Sequence, residues 1–216
     1  MKAVKKILNN IFIDGLSGMA LGLFSTLIIG TILKQIGDLM GGTYGGYLST
    51  FAIIAQRLTG AGIGIGVAYK FRESTYVLLS AAAAGMIGAY ASNLIAGTLL
   101  SEQGALVLLG PGEPLGAFVA AYVGITVGRL VAGKTKLDLL ITPAVTILSG
   151  GAVGILVGPG VSRFMTWLGD LVNWGTEQQP ILMGIVVSVI MGMVLTLPIS
   201  SAALGIILGL NGVAAG

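Results

Sequence analysis

The chain has 216 residues, of which 55% are hydrophobic and only 9% charged, with 11 basic and 8 acidic side chains and a formal charge of +3. Nineteen charges cannot solvate the surface of a soluble domain of this size, where roughly 25% would be usual, so the composition excludes an ordinary water-soluble fold. With no His and no Cys, disulfides, thiolate nucleophiles, His general bases and the common zinc sites are excluded, and the small, scattered positive charge gives no footprint for nucleic acid.

Taken in chain order, the first segment pairs Val4, Ile7, Leu8, Ile11 and Phe12 at helical spacing with Lys5, Lys6, Asn9 and Asn10 opposite. It predicts a basic amphipathic helix over residues 1–14 lying at an anionic membrane surface. The apolar run after Asp14 is too long for a signal peptide and no small-x-small cleavage site follows it. Gly15–Leu33 is free of charge and long enough for one span. Residues 39–56 and 58–69 flank Arg57 and read together as a second span. Ser74–Ser101 reads as a third, 115–133 as a fourth and 139–162 as a fifth. Residues 178–216 carry no charge, and Pro198 divides them into a span near 181–197 and a further apolar piece, 199–216. Between the fifth and sixth spans, Phe164, Trp167, Leu168, Leu171 and Trp174 share one face, predicting an interfacial segment over 163–179.

The predicted architecture is therefore an all-α, polytopic transmembrane helical bundle of six to seven spans in a single domain, 1–216. From the N-terminus, the basic residues outside the spans alternate three, one, two, none, three and one. Positive charge is retained on the cytoplasmic side, so the N-terminus is predicted to be cytoplasmic.

Small residues recur every four positions, as in Gly18/Gly22, Gly60/Gly64, Gly62/Gly66 and Gly150/Gly154/Gly158. Such rows serve close helix packing and also suit backbone lining a solute path or a homo-oligomer contact. Pro143 and Pro198 interrupt apolar runs and predict broken helices, whose unwound backbone must be buried or line a cavity. Arg57 costs roughly 2.5–3.5 kcal/mol at a span centre. It marks a pathway, unless the span is broken near Gly60 and leaves Arg57 at a boundary. The stretch Gly110-Pro111-Gly112-Glu113-Pro114 forbids regular helix and holds a carboxylate beside rigid backbone, as either an exposed turn or an acceptor for a polyol.

Several stretches resemble one family. They are Phe12–Leu16 with Gly18–Phe24, Gly62–Tyr69, Gly110–Pro114, Gly133–Asp138 with Thr142-Pro143, and Met191–Ala203. In this order they resemble the membrane subunit IIC of the phosphotransferase system. The resemblance implies a multi-spanning permease of the bacterial inner membrane that moves a sugar or related solute, coupled to phosphorylation by separate soluble subunits. It also implies further C-terminal helices, which the chain is expected to lack. The candidate solute-contacting residues are Arg57, Asn93, Glu113, Thr142, Pro143, Pro198, Ser200 and Ser201. No catalytic residue, cofactor or metal is expected in the chain, and its partners are expected to be the lipid bilayer, the solute, the soluble subunits and further copies of itself in a homo-oligomer. The competing readings are a secondary transporter or channel without phosphorylation, and a membrane scaffold that transports nothing.

Overall fold

A computed structural model describes residues 10–176 together with 184–185, 188–189 and 192. The predicted N-terminal amphipathic helix lies mostly outside the described residues. So do the predicted spans over 181–197 and 199–216, with Pro198, Ser200 and Ser201.

Helix α1 is a single 30-residue helix, Ile11–Met40, about 45 Å along its axis. Two π-helical stretches, Asn10–Gly15 and Phe24–Ile28, interrupt its regular winding. At the second, the Ser25 and Thr26 hydroxyls donate to the Leu21 and Gly22 carbonyls at 2.8 and 2.7 Å. Gly41 and Gly42, at φ 61° and 62°, reverse the chain. It then returns along α1 as α2 (Gly42–Arg57) and α3 (Thr59–Lys70), bent by 53° at Leu58. The Thr59 hydroxyl donates to the Gln56 carbonyl at 2.5 Å, satisfying an acceptor that the interrupted ladder leaves open. Helices α4 (Thr75–Ala89), α5 (Ala91–Ile95), α6 (Pro114–Val131) and α7 (Asp138–Thr176) complete the bundle.

Lipid gives no hydrophobic drive between helices, so association depends on close backbone approach. The glycine rows provide it. Gly18 faces Val67, Gly60 faces Gly85, Gly88 faces Gly116, and Gly150, Gly154 and Gly158 run along Ala84, Gly88 and Ala91. The rows of α1, α3 and α7 are thus filled within the chain. Met19, Leu23, Ile63, Val67, Val77 and Ile125 are sealed inside. Meanwhile Leu39, Tyr44, Leu148 and Leu156 point outward at 71–86% exposure. Large apolar side chains facing out at several helices are what a bilayer solvates.

Among the described residues, three helices are long and apolar enough to cross a membrane, and the bent pair α2–α3 makes a fourth crossing if it is one span. Four differences from the sequence reading follow from local physics. First, the continuous second span is broken at Leu58, so Arg57 is the last residue of α2 and its side chain is exposed. Second, the third predicted span shortens to Thr75–Ala89. Its apolar continuation turns at Tyr90 and leaves helix beyond Ile95. Third, Pro143 does not break α7. It lies early in the helix, near the opening turn whose N–H groups lack helical partners anyway, and it removes one later bond, to the Leu139 carbonyl. Fourth, the segment from 163 to 176 is a continuation of α7 rather than a separate interfacial helix.

One end of the bundle gathers charge. Asp14, Lys70, Arg72 and Glu73 line a common recess, and Arg129 reaches Glu73 at 3.9 Å. Burial pushes the Glu73 carboxyl above its ordinary range, and the Arg129 charge partly opposes the rise. Lys134 and Lys136 follow in the loop between α6 and α7. There the Asp138 carboxylate accepts from the Gly133 N–H at 2.8 Å and the Thr142 hydroxyl at 2.6 Å.

Candidate functional site

The opposite end is closed by the loop 96–113. Its last turn is built from Gly110 at φ 68° and Gly112 at φ 76°, with Pro111 between them. Gly112 is required twice over. Its φ disfavours a side chain, and a Cβ there would stand 2.8 Å from the Ala89 methyl and 3.0 Å from the Ala89 carbonyl oxygen. The Glu113 N–H donates to that carbonyl at 2.8 Å, lashing the loop to the end of α4. Tyr90, 2% exposed, donates its hydroxyl proton to the Gly110 carbonyl at 2.7 Å, with the Arg57 carbonyl a longer second acceptor at 3.3 Å. One phenol thus ties together the loop, the break at Leu58 and the end of α4.

Glu113 is the N-cap of α6. Its carboxylate accepts from the Leu115 N–H at 3.0 Å and from the Gly116 N–H, and Pro114 occupies the first helical turn. The positive end of the helix dipole stabilises the charge there. Two of the roughly four acceptor positions of the carboxylate are used in this way, which leaves acceptor capacity for a ligand.

That capacity faces a cavity of about 300 Å³ lined by Ser92, Asn93, Pro111, Gly112, Glu113 and Ser162, with Leu27 and Leu109 as apolar wall. The size lies at the lower end of the range for small-molecule sites, about 300–1,000 Å³. Asn93 is held loosely by Thr98 at 3.4 Å, while the hydroxyls of Ser92 and Ser162 have no hydrogen-bond partner among the described residues. A carboxylate, an amide and two hydroxyls beside an apolar wall can bind an uncharged polyol, whose hydroxyls both donate and accept.

Of the residues singled out from sequence, Asn93 and Glu113 meet in this cavity. Arg57 contributes its backbone carbonyl to the Tyr90 link, and its side chain is not part of the lining. Thr142 is fully buried and, with Pro143, stands near the other end of α7, about 30 Å along the helix from Ser162. Pro198, Ser200 and Ser201 lie outside the described residues. Tyr90, Ser92 and Ser162 were missed. A hydroxyl-bearing aromatic deep inside an apolar run was a signal for Tyr90, whereas nothing local distinguishes Ser92 or Ser162 from other helix serines.

No curated protein and no solved structure matches the chain. The family model described as "Phosphotransferase system, EIIC" matches residues 13–216, which include the α1 glycine row, the α2–α3 bend and the Glu113 cavity. The chain is therefore a permease-like membrane protein that belongs to the phosphotransferase system EIIC family.

Proposed function

We propose that the chain is a sugar-translocating permease domain of the bacterial cytoplasmic membrane, coupled to phosphorylation by separate soluble subunits. The observation that carries the reading is the Glu113 cavity. Its Glu113 carboxylate is fixed by two backbone N–H groups, and with the Asn93 amide and the Ser92 and Ser162 hydroxyls it matches a neutral polyhydroxy solute. The charged end holding Lys70, Arg72, Arg129, Lys134 and Lys136 is the cytoplasmic face, because basic residues are retained there. On this reading the N-terminus lies inside and the Glu113 cavity lies toward the outer face. The chain has neither His nor Cys to carry a phosphoryl group in transit, which agrees with soluble partners that carry it.

The test is uptake of labelled sugars and polyols into cells expressing the protein, with and without a working phosphoenolpyruvate-driven chain. Saturable uptake that needs the chain and yields phosphorylated product is expected, with at least a tenfold loss in Glu113→Gln. Uptake that persists without the chain would overturn the coupling, and full uptake by Glu113→Gln would overturn the site.

A further inference from the structure

The cavity at Glu113 does not end at Ser162. A second hollow of about 480 Å³ shares Ser92 and Ser162 with it and continues along α7 past Arg163, Thr166 and Trp167 to Asp170. Arg163, Thr166, Trp167 and Asp170 follow Ser162 by one, four, five and eight residues along one helix, so the five share one broad face. From Ser162 to Asp170 that face extends about 12 Å. The opposite wall is α5, through Ile95 and Ala96.

Three properties define what this hollow takes. Trp167 is 58% exposed, and Phe164 packs against its indole at a centroid distance of 6.1 Å and an interplanar angle of 28°, which sets the ring's orientation. An indole face is a platform for the C–H face of a sugar ring. Arg163 and Asp170 flank it with one donor cluster and one acceptor of opposite sign, and both ion pairs among the described residues lie elsewhere. One positive and one negative group give the hollow no net charge, so it favours a neutral polyol over a phosphate or an acidic sugar. Finally, the two hollows meet at Ser92 and Ser162, and volumes of about 300 and 480 Å³ give room for two linked rings rather than one.

We propose that the Arg163–Trp167–Asp170 face is a second sugar subsite, so that the substrate is a disaccharide or glycoside with one ring at Glu113 and the other on Trp167. This rests on the permease reading and narrows its substrate class.

The experiment is calorimetric binding to the full chain in nanodiscs. The probes are glucose with maltose, cellobiose and trehalose, and galactose with lactose and melibiose. At least one disaccharide is expected to bind about tenfold more tightly than its monosaccharide. Trp167→Ala is expected to abolish that advantage, while Trp167→Phe, which keeps an aromatic face, retains most of it. Arg163→Gln and Asp170→Asn, which preserve side-chain size, each reduce it. The inference is overturned if no disaccharide exceeds its monosaccharide. It is also overturned if Trp167→Ala weakens both sugars alike, the result expected of a residue that only anchors the helix at the lipid headgroups. Glu113→Gln separates the two ideas. Loss of both sugars supports the shared path, whereas unchanged binding of both sinks the Glu113 site and leaves the Trp167 effect standing by itself. Failure of every probe to bind would overturn both.

Discussion

Replacing Gly60 with Ala tests whether backbone contact holds the bundle together. The new methyl would stand 2.8 Å from the Gly85 carbonyl oxygen and the Ala89 methyl, and 3.0 Å from the Met86 Cα. Ordinary contact begins near 3.4 Å, and two of these three atoms belong to backbone, which cannot rotate away. Helices α3 and α4 must therefore separate by some tenths of an ångström. Overpacking of this kind costs about 1–3 kcal/mol, and the widened gap loses dispersion along both helices. Against this, Ala is a better helix former than Gly by at most about 1 kcal/mol, less in the first turn where Gly60 lies. The net expectation is a loss of about 1–2 kcal/mol, or a melting temperature lower by roughly 2–8 °C for a chain of this length. Thermal unfolding of the purified protein in detergent micelles reads it directly. Gly46→Ala is the control, since nothing lies within 4 Å of its Cβ and the residue is inside α2. It should melt at or above the wild-type temperature. Adding Gly85→Ala to Gly60→Ala should cost less than the sum, because both methyls fill one gap. Equal melting temperatures for Gly60→Ala and Gly46→Ala would refute the argument.

Other consequences are as specific. Tyr90→Phe removes the donor from the 2.7 Å bond to Gly110 and should cost about 1–2 kcal/mol. Faster amide exchange in the loop 96–113 should accompany it, and unchanged exchange would show that the phenol does not hold the loop. Glu73 has a raised carboxyl pKa in the folded protein. Its contribution to stability is therefore complete below the ordinary value of 4.5 and is lost as pH rises through the raised one. Melting curves across that window should slope downward more in the wild type than in Glu73→Gln, and parallel curves would argue against it. Arg57→Gln leaves the backbone carbonyl and hence the Tyr90 link in place. It should change sugar binding by less than about twofold, whereas a tenfold loss would return the side chain to the pathway.

Membrane residence and helical class were legible because they depend on composition and run length, which need no tertiary information. The glycine rows were legible for the same reason, as a four-residue period is a property of one helix face. Boundaries were harder. The residues after Ile95 are rich in leucine, and hydropathy scores an apolar loop such as Leu106–Leu109 no differently from a helix. Pro143 misled because its effect depends on distance from the helix start, and that start was set by Asp138 binding back to Gly133. Glu113 could be found, since Gly-Pro-Gly before a carboxylate fixes its backbone locally. Ser162 could not, because its role arises from which face of α7 meets α5, a contact 70 residues apart in the chain.

The bend at Leu58 also bears on length. Laid straight, α2 and α3 would measure about 42 Å, well beyond the roughly 30 Å hydrocarbon thickness of a bilayer. Were α3 to stand along the membrane normal, with α2 inclined to it by 53°, the pair would rise only about 32 Å. α1 follows both halves, with Gly22 against Gly62 below the bend and Gly37 against Gly45 above it. As one span, the pair would relieve the hydrophobic mismatch of an overlong hairpin by folding the excess sideways rather than by thickening the membrane. The inclined half then spreads Tyr44, Tyr47 and Phe51 across the lipid as a flank to the bundle.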